Sequence, residues 1–222
     1  MRLRGSPRRW LAALAVVAAA GAVAAAVWPG AAAFLNVTAA KLTTQSFTNV
    51  VGTATLLPNA DRDANIPNDW DNENNQRCNQ SAVNCFSSIR DSNDNTYITT
   101  GNNPNNRKAE FELDNAPADV PSTGTPVVLV KVSFRAQKSG GAKTLSATVE
   151  LKKSDGTTIA TASDADISTS VELVTGTETS VSLSKTDVDG LYVVVTADTA
   201  SGGSGNSRLR ITEIWVDITY LK

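Results

Sequence analysis

The stretch Val128-Leu129-Val130-Lys131-Val132-Ser133-Phe134-Arg135 alternates valine, valine, valine and phenylalanine with leucine, lysine, serine and arginine. Successive side chains of a β-strand point to opposite faces, so a period of two marks a strand with one buried face. Lys138-Ser139-Gly140-Gly141 reads as its end. The next segment repeats the pattern: Leu145, Ala147, Val149 and Leu151 face one way, and Ser146, Thr148 and Glu150 the other. Asp155-Gly156 then supplies the φ > 0 positions of a tight hairpin turn before another strand near Thr157.

Further strands are expected at 47–57, 97–100, 108–113, 171–174, 180–183, 191–197 and 209–221, and no amphipathic helix of useful length interrupts them. Strands this numerous with short turns need two packed sheets. The fold class is therefore all-β: a two-sheet antiparallel β-sandwich, preceded by an N-terminal hydrophobic segment. Residues 58–94 stand apart as a long loop crowded with Asn and Asp. Loops of that length are usually functional or disordered.

The N-terminal segment sets the compartment. Arg2, Arg4, Arg8 and Arg9 precede an uncharged run from Trp10 to Trp28, followed by Pro29-Gly30 and Ala31-Ala32-Ala33. That order is the order of an export signal cleaved before Phe34. The run is also about long enough to span a ~30 Å hydrocarbon core as a retained anchor. Arg8-Arg9 is a twin-arginine pair in loose context. The domains are thus residues 1–33, signal or anchor, and residues 34–222, one β-sandwich, placed outside the cell or on its surface. Membrane contact is expected only through the N-terminal segment, if it is not cleaved.

Beyond the leader, 16 basic residues face 22 acidic ones, a formal charge of −6. An acidic chain without a basic stripe argues against nucleic acid as a partner. The chain has 0 histidines, which removes Ser-His-Asp and Cys-His nucleophiles and His-ligated zinc or iron. A carboxylate pair in a glycoside hydrolase needs no histidine, but Glu110, Glu112, Glu150, Glu172 and Glu213 lie in no recognisable motif. A non-enzyme is expected. Cys78 and Cys85 are the only thiols, and in an oxidising compartment they pair as a local disulfide, with two free buried thiols as the alternative.

Several segments follow one another in a characteristic order: Leu57-Pro58-Asn59-Ala60-Asp61, Trp70, Ile89-Arg90-Asp91, Asp94-Asn95-Thr96-Tyr97-Ile98 and Phe111-Glu112-Leu113. Val132-Ser133-Phe134-Arg135-Ala136 and Ile211-Thr212-Glu213-Ile214-Trp215-Val216 close the series. This order resembles a widespread, mostly uncharacterised jelly-roll β-sandwich module of phage virion proteins and bacterial surface proteins. The resemblance implies a jelly-roll-like sandwich and says little about ligand. The insertion holding Cys78 and Cys85 departs from it.

Two clusters are candidate sites. Asp61, Asp63, Asn65, Asp69 and Asp71 place oxygens at alternate positions, as hard-cation loops do, so Ca²⁺ is the candidate cofactor. Ile66 stands where such loops carry the turn glycine, and a plain solvated loop is the alternative. Asp91, Asp94 and Asn95 form a weaker cluster that ordinary Asx turns also explain. On the last strand, if Ile214, Val216, Ile218 and Tyr220 point inward, Glu213, Trp215 and Asp217 share the opposite face. A tryptophan flanked by carboxylates suits carbohydrate: the ring stacks on apolar C–H faces and the acids accept hydroxyl hydrogen bonds. Burial of Trp215 under the long loop or the segment before Phe47 is the alternative. The function expected is an exported, non-catalytic surface protein binding carbohydrate or another surface ligand, such as a surface protein. The competing expectation is a structural subunit of an extracellular filament, surface layer or virion-like assembly. In that case Phe34-Leu35-Asn36-Val37-Thr38-Ala39-Ala40 could pair in its own sheet or add to a neighbour's edge, giving self-assembly.

Overall fold

The computed structural model describes residues 51–62, 70–78 and 83–222. The leader, the segment 34–40 and Asp63, Asn65 and Asp69 lie outside the described residues. Among the described residues twelve strands form two antiparallel sheets. In chain order they are β1 (Val51–Leu56), β2 (Pro58–Arg62), β3 (Trp70–Asn72), β4 (Ile98–Thr100), β5 (Arg107–Leu113) and β6 (Val127–Gly140). Then come β7 (Ala147–Lys152), β8 (Thr158–Asp164), β9 (Glu172–Thr175), β10 (Thr179–Leu183), β11 (Tyr192–Ala197) and β12 (Ser207–Leu221). One short helix, α1 (Lys185–Asp189), joins β10 to β11 behind a Ser184/Asp187 capping box.

The seven-stranded sheet runs β10-β6-β12-β4-β3, with β9 also on β6 and β1 also on β12; the five-stranded sheet runs β2-β5-β11-β7-β8. The chain crosses repeatedly between the sheets, as a jelly-roll-like sandwich requires. The backbone of the larger sheet is the pair β6–β12, joined from Ser207↔Gly140 to Tyr220↔Val127 with register shifts between Ile211 and Glu213 and between Thr219 and Tyr220. Alternation explains the core. Val130, Val132, Phe134, Leu145, Ala147, Val149 and Leu151 are all at 0% exposure, facing Ile214 and Val216 across the sandwich or along their own sheet.

Three details differ from the sequence expectation. Val128 falls in the irregularity between Thr219 and Tyr220 and is only half-buried, while Val127 takes the inward position. The strand runs on through Gly140, a position at φ 94° that suits glycine because a Cβ there would strike the carbonyl of Asn206 in the neighbouring turn. At the β7–β8 hairpin only Gly156 takes positive φ, at 87°; Asp155 instead accepts the Thr157 N–H at 2.8 Å.

The larger correction concerns residues 58–94, which are not one long loop. They contain β2, β3 and a 3₁₀ turn, Cys85–Ile89, and they send Trp70, Cys85 and Ile89 into the core at 0% exposure. Neither strand carries an apolar alternation of its own. β2 is an edge strand held by β5, opening on a proline that needs no ladder donor, and β3 is held by β4. Cys78 and Cys85 are joined, with Cα atoms 5.3 Å apart.

Candidate functional site

The long strand β12 separates two environments by period. Ile214, Val216, Ile218 and Tyr220 are buried, and Glu213, Trp215, Asp217 and Thr219 between them are half-buried on the outward face. Pairing then fixes what surrounds Trp215. Its partner on β6 is Ser133, whose own partner on β9 is Thr175; the Ser133 hydroxyl reaches Thr175 Oγ1 at 3.4 Å. The row on one side is Glu213, Arg135 and Leu173, and the row on the other is Thr55, Asp217 and Lys131. Leu173 is 61% exposed, the most open large apolar side chain among the described residues.

The charges on this face are unevenly satisfied. The Arg135 guanidinium makes a two-pronged contact with Asp94, Nη1 to Oδ1 at 2.9 Å and Nη2 to Oδ2 at 3.0 Å, and Thr212 Oγ1 donates to the same carboxylate at 3.3 Å. Asp217 accepts from Thr55 Oγ1 at 2.8 Å and lies 3.7 Å from Lys131 Nζ. Glu213 makes no hydrogen bond or ion pair of this kind among the described residues. Burial pushes its carboxyl above the usual range; Arg135 opposes that, and Asp91 and Asp94 reinforce it.

Asp91, Asp94 and Asn95 came from the sequence as a weak cation cluster, and the structure gives them separate work. Asp91 holds an Asx-type turn, accepting from Asn93 N at 3.2 Å and Thr96 Oγ1 at 2.7 Å. Asp94 is the Arg135 partner just described. Sequence reasoning did not bring Arg135, Asp94 and Lys131 to the Trp215 face. Only the β6–β12 register does so, and the strand alternation of 128–135 combined with that of 209–221 contained half of the signal.

Of the five calcium candidates, Asp61 and Asp71 are described. Asp61 is half-buried and aims both oxygens at the start of the 3₁₀ turn, accepting from Cys85 N at 2.8 Å and Phe86 N at 2.7 Å. Its burial outweighs these two bonds and raises its pKa. Asp71 pairs with Arg77 at 3.3 Å. The described residues contain no cluster of three or more His, Cys, Asp or Glu side chains arranged for a metal.

No protein-family model matches the sequence, and no curated protein matches it. Among solved structures it is similar to the CBM36-1 domain of a multidomain xylanase from the hindgut metagenome of Trinervitermes trinervoides. The identity is 12% and the TM-score 0.34, over 75% of this chain and 96% of that one. It is also similar to the C-terminal CBM6 of the laminarinase LamC from Zobellia galactanivorans, at 11% identity and TM-score 0.35 over 76% and 99% of the two chains. A third is the tripod from the baseplate of bacteriophage Tuc2009, at 13% identity and TM-score 0.35 over 80% and 65%. At such distances these likenesses carry no information about ligand, which must come from the chemistry of the face itself. The described residues form a two-sheet antiparallel β-sandwich with Trp215 between Glu213 and Asp217 on the outer side of the larger sheet.

Proposed function

We propose that this chain is an exported, non-catalytic β-sandwich of the cell surface that binds carbohydrate on the outward face around Trp215. The observation that carries this reading is the placing of Trp215 and Glu213 two residues apart on the outward face of one strand, with Glu213 half-buried and without a hydrogen bond or ion pair among the described residues. An aromatic plane recognises the apolar face of a sugar, and an uncommitted acceptor beside it recognises hydroxyl donors. Asp217, Thr55 and Lys131 on the next row add donors and acceptors at strand spacing.

An extracellular setting fits the chain's buried disulfide and the export-like order of its first residues. A purely binding role fits a chain of 222 residues with 0 histidines. The test is a glycan array followed by titration calorimetry with the purified protein and its Trp215→Ala variant. The reading expects saccharide binding that the variant loses while its circular dichroism stays that of the parent. Binding undiminished in Trp215→Ala would move the site elsewhere, and an array blank for all glycans would remove carbohydrate as the ligand.

A further inference from the structure

We infer that the Trp215 face selects a cationic, amine-bearing polysaccharide, of the kind built from unacetylated amino-sugar units, over neutral and acidic glycans; this rests on the carbohydrate reading above. Glu213 stands opposite Arg135 on the β6–β12 ladder, and Arg135 in turn holds Asp94, so among the described residues two carboxylates share one guanidinium at this end of the face, with the charge of Asp91 also acting on Glu213. That guanidinium spends both prongs on Asp94. Asp91 spends an oxygen on Asn93 and Thr96 within its own turn. Among the described residues Glu213 is left as the acid with no ion pair of its own, two residues from Trp215 on the same face.

The three ligand classes differ in what they do to that carboxylate. A neutral sugar stacked on Trp215 strips water from Glu213 and returns only hydroxyl hydrogen bonds. A uronate or sulfated sugar brings a further negative charge to a place that already holds an excess of them, which costs affinity. An ammonium returns a charge-assisted hydrogen bond, the stronger kind, and compensates the desolvation. Reach is no obstacle. Glu213 and Asp217 each lie two residues from Trp215, about 7 Å along the strand, so an amine on the stacked unit or on its neighbour meets one of them. Asp217 already has Thr55 and Lys131, so Glu213 is the expected partner.

The experiment titrates the purified protein, Glu213→Gln and Trp215→Ala with two oligomers of equal length, one of glucosamine and one of N-acetylglucosamine, at a pH where the amine is protonated. An oligolysine of matched charge serves as the control for nonspecific attraction to an acidic chain. The expected result is roughly tenfold tighter binding of the glucosamine oligomer, the equivalent of one charge-assisted hydrogen bond. Glu213→Gln should bring the two oligomers within about twofold, and 0.5 M salt should erase the preference in the parent while leaving residual binding. A preference that survives Glu213→Gln overturns the inference, as does oligolysine binding as tightly as the glucosamine oligomer without regard to Trp215. If the neutral oligomer binds through Trp215 and the amine adds nothing, the inference falls and the carbohydrate reading stands. If neither oligomer nor any arrayed glycan binds in a Trp215-dependent way, both fall.

Discussion

Replacing Asp61 tests what holds the Asn/Asp-rich region together. Its carboxylate accepts the N–H groups of Cys85 and Phe86, so it acts as the cap of the 3₁₀ turn Cys85–Ile89. That turn carries the disulfide at one end and buries Ile89 at the other. A charge-assisted hydrogen bond contributes roughly 1.5–3 kcal/mol and an orphaned buried N–H costs a comparable amount. Two such bonds would suggest more, but Asp61 is only half-buried and its desolvation works against them. We therefore expect Asp61→Ala to cost about 2–3 kcal/mol and Asp61→Asn, which keeps one acceptor, about half of that.

For a domain of this size the alanine variant should melt about 5–10 °C lower, read by calorimetry and by near-ultraviolet circular dichroism. The pH profile adds a second readout. Burial raises the folded pKa of Asp61 above its ordinary value, so the folded state holds the proton more tightly than the unfolded one. The corresponding stability is full below the unfolded pKa and is lost as pH rises through the folded one. Asp61→Asn should lack that decline above about pH 4, the ordinary carboxylate range. A variant as stable as the parent, with an unchanged profile, would mean that the turn needs no cap and that the disulfide alone positions it.

Three other outcomes follow from particular contacts. A Cβ at Gly52 would stand 2.6 Å from Tyr220 Cε2, and the ring cannot swing away without breaking its 2.8 Å hydrogen bond to Asp119, so Gly52→Ala should cost about 1–3 kcal/mol. In a Tyr220→Ala background the same change should cost much less, leaving only the flexible Lys222 tail, whose Cε would stand 2.7 Å from the new Cβ, to move aside, which a double-mutant cycle measures. Removing the bridge by Cys78→Ser/Cys85→Ser should cost about 2.5 kcal/mol from loop entropy alone, and alkylation of the unreduced protein should label neither cysteine, because both sulfurs are held in the bond. Calcium at Asp61, Asp63, Asn65, Asp69 and Asp71 is a separate proposal. Each Asp61 oxygen keeps a second lone pair beyond its backbone bond, so millimolar calcium should raise the melting temperature and Asp63→Ala should cancel the rise, while equal melting in chelator would dismiss it.

How far the chain could be read in advance depended on whether each strand carried its own period. Residues 128–135, 145–151 and 214–220 each carry an apolar alternation of their own, and all three lie in or run into strands with the expected residues buried, Val128 excepted. β2 and β3 have no such face. Asn and Asp disfavour strands locally, and only the ladders offered by β5 and β4 override that preference. The same limit applies to the site. Trp215 and its flanking acids were legible because they are neighbours on one strand. Arg135 and Asp94 were not, because their proximity to Glu213 depends on a cross-strand register and on a bulge between Ile211 and Glu213.

That bulge also bears on how binding and folding are separated in this chain. Thr212 is the extra residue, and it is buried and anchored to Asp94. Without it the alternation beyond Ile211 would be out of phase: Ile214 and Val216 would turn outward and Trp215 would enter the core. One inserted residue thus lets β12 keep Leu209 and Ile211 inward at one end and Ile214 and Val216 inward at the other, with Glu213 and Trp215 outward between solvent and sheet. Because the inward residues carry the packing, the outward ones are free to vary with ligand at little structural cost. Trp70 shows the contrast: at 0% exposure its replacement by alanine should cost roughly 3–5 kcal/mol, whereas Trp215→Ala should cost about 1 kcal/mol and act on binding. A Trp215→Ala protein that fails to fold would show that the outward face is part of the packing after all, and the division between the two sides of β12 would have to be abandoned.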